Sequence, residues 1–150
     1  METDVTHYQQ PGWFTTQVAN RLVRRLTRWG VSIRGSRELA VRGRTTGEWR
    51  TTPVNPLEIG DRCYLVAPRG ETQWVRNLRV ASNGELRLGR RTEPFTAVEV
   101  ADDDKVDLLR EYLRRWKAEV GVFFGGVGPD ADDATICSIA GDHPVFVVTR

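Results

Sequence analysis

The chain reads as an α+β protein built around an antiparallel barrel. Strand-like runs follow one another at short spacing between Leu39 and Val66, turn-forming residues separate them, and strong helical periodicity arrives only later. A doubly wound sheet would instead alternate strands with helices along its whole length. The 150 residues suit one domain spanning 1–150, large enough to bury a core without a metal or a disulfide. With 39% hydrophobic and 28% charged residues, the chain is neither fibrous nor largely disordered.

A polar tail is expected over 1–11. An amphipathic helix is expected over 13–29, where Phe14, Val18, Leu22, Leu26 and Trp29 recur every three or four positions. Arg21, Arg24, Arg25 and Arg28 fill its other faces, and Gly30 ends it. RELAVRG then alternates as a strand, and TTPVNPLEI and RCYLVAP follow around a turn at Gly60-Asp61. Pro53 and Pro56 restrict the middle strand to an edge, a bulge or a break. TQWVRNLRVA (72–81) changes to helical spacing, and Asn83-Gly84 predicts a turn into ELRLGR. TEPFTAVEV is a longer strand leading to an N-cap at Asp102. The helix beyond carries Val106, Leu109, Leu113, Trp116 and Val120 on one stripe. A glycine-rich link, a short helix near 131–140 and a final strand HPVFVVTR complete the chain.

The net charge of +2 conceals a segregation. Residues 1–92 hold 16 basic and 8 acidic side chains, residues 93–150 hold 6 and 12, and 20 of the 22 basic residues are arginine. A basic first part suggests an anionic ligand there, while a genome that favours arginine codons would give the same composition on an ordinary surface. Cys63 and Cys137 each sit in an apolar run and read as core residues, and no metal-ligand spacing is present. No cleavable signal and no apolar span of membrane length are evident, so a cytoplasmic protein is expected.

Two segments can carry chemistry. GRTTGEWR (43–50) frames Arg44, Thr45, Thr46 and Arg50 with glycines in a tight connection between strands. Such a loop can turn backbone N–H groups, hydroxyls and planar guanidinium forks toward one phosphate or carboxylate. APRGETQWVRNLR (67–79) ends a strand at Ala67, passes Pro68, Arg69 and Gly70, and opens a helix near Thr72, where unpaired N–H groups attract anions. Trp74 and Asn77, three apart, share a helix face and form either a wall for a flat heteroaromatic ring or a core anchor with a loop tether. There is no GxSxG, HExxH, paired-carboxylate or Walker motif, so catalysis would fall to a bound cofactor.

Taken together, the segments resemble the deazaflavin-dependent nitroreductase and quinone reductase family of actinobacteria, whose fold is a split β-barrel related to flavin-reductase and FMN-binding proteins. The resemblance rests on Gly43, Arg44, Thr46, Gly47, Arg50 and Pro53, then Ala67, Arg69 and Gly70, then Trp74, Asn77 and Leu78, in that order. It covers 39–101 well. It implies that Arg44, Thr45, Thr46 and Arg50 hold the phosphate and acidic tail of coenzyme F-420, with Gly47 and Pro53 shaping that loop. Arg69 and Gly70 would add to that anion site, Ala67, Pro68 and Thr72 are further cofactor-binding candidates, and Trp74 and Asn77 would fix the ring end. Position 45 is threonine where the family commonly has lysine, and the loop before Trp74 is short. The family's late tyrosines are not evident; Tyr112 is a possible proton donor, and Trp116, Phe123 and Phe124 are available for the substrate side.

The implied activity is hydride transfer from reduced F-420 to a lipophilic quinone, enone or nitro acceptor. The alternatives are a non-catalytic lipid or fatty-acyl carrier of the same fold and an FMN-binding oxidoreductase. Helix 13–29 could touch an anionic membrane, and the protein could be a monomer or a homodimer. No nucleic-acid recognition motif accompanies the arginines.

Overall fold

A computed structural model of the protein describes residues 36–150, so the tail over 1–11 and the helix expected over 13–29 lie outside the described residues. Seven strands form one sheet: β1 (Arg37–Arg42), β2 (Trp49–Val54), β3 (Leu57–Ile59), β4 (Arg62–Val66), β5 (Asn83–Leu88), β6 (Arg91–Glu99) and β7 (Val145–Thr149). Their order is β2-β1-β5-β6-β7-β4-β3, and every neighbouring pair is antiparallel. The sheet curls into an open barrel, the split-barrel architecture expected of the sequence. Helices α1 (Gln73–Ala81), α2 (Val106–Val120) and α3 (Asp133–Ile139) are added to it.

Alternation in the strands produces two cores. Leu39, Val41, Cys63, Leu65, Leu86, Phe95, Phe146 and Val148 fill the interior of the curl, and Val75 and Leu78 of α1 close it. Leu57, Val66 and Val145, facing the other way, are covered by Leu109, Tyr112, Leu113 and Trp116 of α2 and Ile136 of α3. Fully burying a leucine-sized side chain stabilises a fold by about 1.5–3 kcal/mol, so each cluster is a substantial source of stability.

The prolines act as their chemistry requires. Pro53 lies in edge strand β2, where a missing N–H costs no second ladder, and Asn55-Pro56 breaks the chain before β3. The turn expected at Asn83-Gly84 falls one residue earlier. Ser82 ends α1 in a left-handed conformation (φ 61°) with its N–H on the Leu78 carbonyl, and β5 begins at once with Asn83. Gly84 serves close packing instead, since a Cβ there would lie 2.6 Å from the Ala40 carbonyl oxygen and 2.9 Å from Phe95. The N-cap expected at Asp102 is displaced too. Asp102–Asp104 form a single 3-10 turn, and Lys105, buried and bonded to Asp102 (2.7 Å) and the Ala140 carbonyl (3.0 Å), precedes α2. Cys63 is buried as expected, whereas Cys137 is exposed because its apolar run folds as a one-sided helix with Ile136 inward.

Candidate functional site

A cavity of about 680 Å³ opens between edge strand β2, the loop after β4 and the start of α1. Its walls come from four places. The β1–β2 hairpin gives Gly43 to Thr46, and β2 with the residue after it gives Arg50 to Asn55. The chain from Val66 to Asn77 gives a third wall, and Tyr112 and Val120 of α2 form part of the floor.

The hairpin is shaped by its own backbone. Gly43 donates to the Glu48 carbonyl (2.7 Å), Gly47 donates to the Gly43 carbonyl (2.9 Å), and Gly47 takes φ 77°, a conformation that favours glycine. The Thr46 hydroxyl accepts from the Glu48 N–H at 3.2 Å, so it serves the turn as well as lining the cavity. One residue clamps this loop to α1. Asn77 Oδ1, in a side chain only 4% exposed, accepts from the Arg44 backbone N–H (3.1 Å) and from Arg44 Nη1 (2.8 Å). Gln73 Oε1 accepts from the same guanidinium at 3.0 Å. Asn77 is therefore a tether that accepts, fixing both the loop backbone and the direction of Arg44.

The second loop is equally constrained. Gly70, at φ 92°, donates to Ala67 (3.2 Å), and the Thr72 N–H donates to the Gly70 carbonyl (2.8 Å). Thr72 is the N-cap of α1, yet its side chain makes no capping bond. Among the described residues its Oγ1 is buried without a hydrogen-bond partner, although Thr72 lines the cavity. A buried hydroxyl left unpaired costs about 1–3 kcal/mol, so such an atom in a cavity wall points to a ligand. Farther along, Arg79 holds α1 in place by binding both Glu99 oxygens (2.9 and 2.7 Å) and Glu71 (2.9 Å). These carboxylates raise its pKa above the ordinary arginine value.

The wall is electrostatically one-sided. Among the described residues Arg44, Arg50 and Arg69 line the cavity and no carboxylate does, while the first turn of α1 carries no acidic residue to occupy its N–H groups. The rest of the lining includes apolar side chains, among them Val41, Val54, Val66, Ala67, Trp74 and Val120. Trp74 does two jobs: it packs on the inner core, its ring 6.0 Å from that of Phe146, and it lines the cavity. Tyr112 is 2% exposed, and burial pushes its phenol well above the usual tyrosine pKa, so it stays protonated.

Eleven of the thirteen residues expected at a cofactor site line this cavity: Arg44, Thr45, Thr46, Arg50, Pro53, Ala67, Pro68, Arg69, Thr72, Trp74 and Asn77. Gly47 and Gly70 do not line it; they set the turns that carry their neighbours. The substrate-side expectation fares differently. Trp116 and Phe124 are core residues of the helical layer and Phe123 packs against them, so none reaches the cavity. Trp116 lies on the buried stripe of α2, and Phe123 and Phe124 lie in the 3-10 turn that follows it, packed with Ile136 of α3 in the same cluster. Sequence reasoning missed Thr51, Thr52, Asn55 and Gln73, which supply further polar atoms to the wall. The readable signal was the inward face of β2, where Arg50 and Thr52 stand opposite Val41 and Leu39.

The residues present fit an elongated anion joined to a flat apolar ring, given three arginines, an orphaned threonine hydroxyl and an aromatic wall. Comparisons with known proteins agree. The family model described as F420H(2)-dependent quinone reductase matches residues 13–123. No curated protein matches the chain in sequence. Among solved structures, the chain is similar to a protein described as a domain-swapped dimer, at 16% identity over 89% of this chain and 98% of that one, with TM-score 0.57. It is also similar to an F420-H2 dependent reductase, at 17% identity over 77% and 95%, with TM-score 0.54. A third, of unknown function from Agrobacterium tumefaciens, has 13% identity over 96% and 58%, with TM-score 0.53. These distant likenesses show the fold; the family model shows the family and gives the FMN alternative no support. By that match, the chain belongs to the F420H(2)-dependent quinone reductase family, oxidoreductases that use reduced coenzyme F-420.

Proposed function

We propose that the cavity holds reduced F-420 through its anionic end and that the enzyme reduces a lipophilic acceptor such as a quinone, enone or nitro compound. One observation carries this reading: three arginines line a cavity to which no described residue adds a carboxylate, and Thr72 in the same lining has a buried hydroxyl with no partner among the described residues. Arg44, Arg50 and Arg69 hold the phosphate and acidic tail, with Thr45, Thr46 and Thr72 adding hydroxyl donors. Trp74 and the valines bound the ring end, where apolar walls exclude water and also suit an apolar acceptor. The bound cofactor supplies the hydride. The chain's own part is to hold both molecules close and to offer donors to charge developing on the acceptor, a role for which the Tyr112 phenol lies on the floor. Among the described residues no helix is long and apolar enough to cross a membrane. Contact of segment 13–29 with a membrane surface remains part of the proposal, as does pairing of two copies.

The test is a fluorescence titration with reduced F-420 and, separately, with FMN, followed by addition of menadione. Binding of F-420 in preference to FMN with oxidation on adding menadione is the expected result. Preference for FMN would overturn the cofactor assignment, and tight F-420 binding without oxidation by a panel of quinone, enone and nitro acceptors would leave a carrier.

A further inference from the structure

The second cavity loop is held from outside the cavity. His143, 1% exposed, precedes β7, and its Nδ1 lies 3.0 Å from the carbonyl oxygen of Pro68, 75 positions away. A carbonyl oxygen only accepts, so Nδ1 carries the proton and donates. The imidazole is itself fixed in place. It stacks on Phe124 with ring centroids 4.0 Å apart and planes 16° apart, and Phe124 in turn lies 6.3 Å from the ring of Tyr112 on the cavity floor. Next to this bond, the Ala67 N–H donates to the Pro144 carbonyl at 2.8 Å, carrying the β4–β7 ladder beyond Val66↔Val145 to end on the histidine.

Peptide geometry gives this contact a consequence. The described chain contains no cis peptide bond, and in a trans peptide the C=O and N–H point in opposite directions. A Pro68 carbonyl drawn toward His143 therefore turns the N–H of Arg69 away from the helical layer. Pro68 and Arg69 both line the cavity. We propose that His143 is a positioning residue that fixes the Pro68–Arg69 peptide so that the loop presents the Arg69 N–H and side chain to an anionic ligand. This rests on the cofactor reading above for the identity of the ligand. His143 touches neither the cavity nor the reacting atoms; it acts through the peptide it holds.

Two variants separate positioning from packing. His143→Phe keeps a ring on Phe124 and loses the donor, whereas His143→Asn loses the ring and keeps an N–H close to the place of Nδ1. Three quantities are measured: the F-420 dissociation constant, the melting temperature, and the 15N resonance and exchange rate of the Arg69 amide without cofactor. For His143→Phe the expected result is about tenfold weaker F-420 binding and a shifted Arg69 amide resonance with an altered exchange rate. His143→Asn should restore affinity to within about threefold and return the amide signal, while melting lower than His143→Phe, because the lost bond and the lost stack are separate contributions. Wild-type affinity in His143→Phe, or losses of affinity in both variants that follow their melting temperatures, would overturn the proposal. Failure of the wild-type protein to bind F-420 would instead overturn the cofactor reading, and the Arg69 amide would still judge the role of His143.

Discussion

The inside of the curled sheet and the helical layer on its outer face are made of the same kinds of side chain but end differently. The outer cluster is closed except where Val66, Tyr112 and Val120 meet the cavity: α2 and α3 cover Leu57 and Val145, and Tyr112 packs on Trp116 and on Phe124. The inner cluster runs out at its edge. Across β1–β2, Leu39 and Val41 are core, but their partners Thr52 and Arg50 face the cavity. A polar residue at an inward position of an edge strand marks where a core gives way to a site, whereas a cluster of large aromatics marks a core. Tyr112 and His143 are where the two regions meet, one on the cavity floor and the other holding the cavity loop.

That contrast can be broken by mutation. The largest effect belongs to the closed layer: Leu113→Ala, at a site with 0% exposure, should cost about 2–5 kcal/mol of stability in a denaturant melt and leave the F-420 affinity of the folded protein unchanged. A large loss of affinity in the folded variant would mean that the layers are not separable. Arg50→Ala reverses the pattern. It should weaken F-420 binding by about 1.5–3 kcal/mol with little change in melting, since Arg50 is exposed on edge strand β2. Unchanged affinity would remove Arg50 from the site. The smallest and most discriminating change is Asn77→Asp, which keeps the acceptor for both Arg44 bonds while adding a negative charge beside the anion wall. Stability should hold while F-420 affinity falls by about 1 kcal/mol, less than a bare buried like charge would cost because the paired Arg44 guanidinium offsets most of the added charge. Equal affinity would show that the ligand's charge lies elsewhere.

Much of this architecture was legible because local pattern and tertiary role coincide. Trp74 to Ala81 and the stripe from Leu109 to Val120 repeat at helical spacing and pack accordingly. The two prolines marked an edge strand and its break, and the resemblance named most of the residues that meet at the cavity. The places where the fold departs from or decides between the sequence readings share one cause: a residue type with two uses. Gly84 suits a turn, but the nearness of Ala40 and Phe95 requires it within a strand. Trp116 and Phe124 suit a ligand pocket, but in the fold both pack into the helical layer. Asn77 suits a ring contact or a loop tether, and only the fold brings Arg44, 33 positions away, within its reach and selects the tether. The link from His143 to Pro68 likewise depends on β4 pairing with β7, and nothing local announces it.

The central claim is that this cavity grips its cofactor by the anionic end. Its most direct test compares F-420 with a deazaflavin that lacks the phosphate and the glutamate tail, both titrated into wild-type protein at low salt. Removing contacts to even two of the three arginines predicts an affinity loss of at least about 100-fold for the shortened compound. Equal affinity for the two would contradict the account, placing all recognition in the ring and leaving Arg44, Arg50 and Arg69 without the role assigned to them.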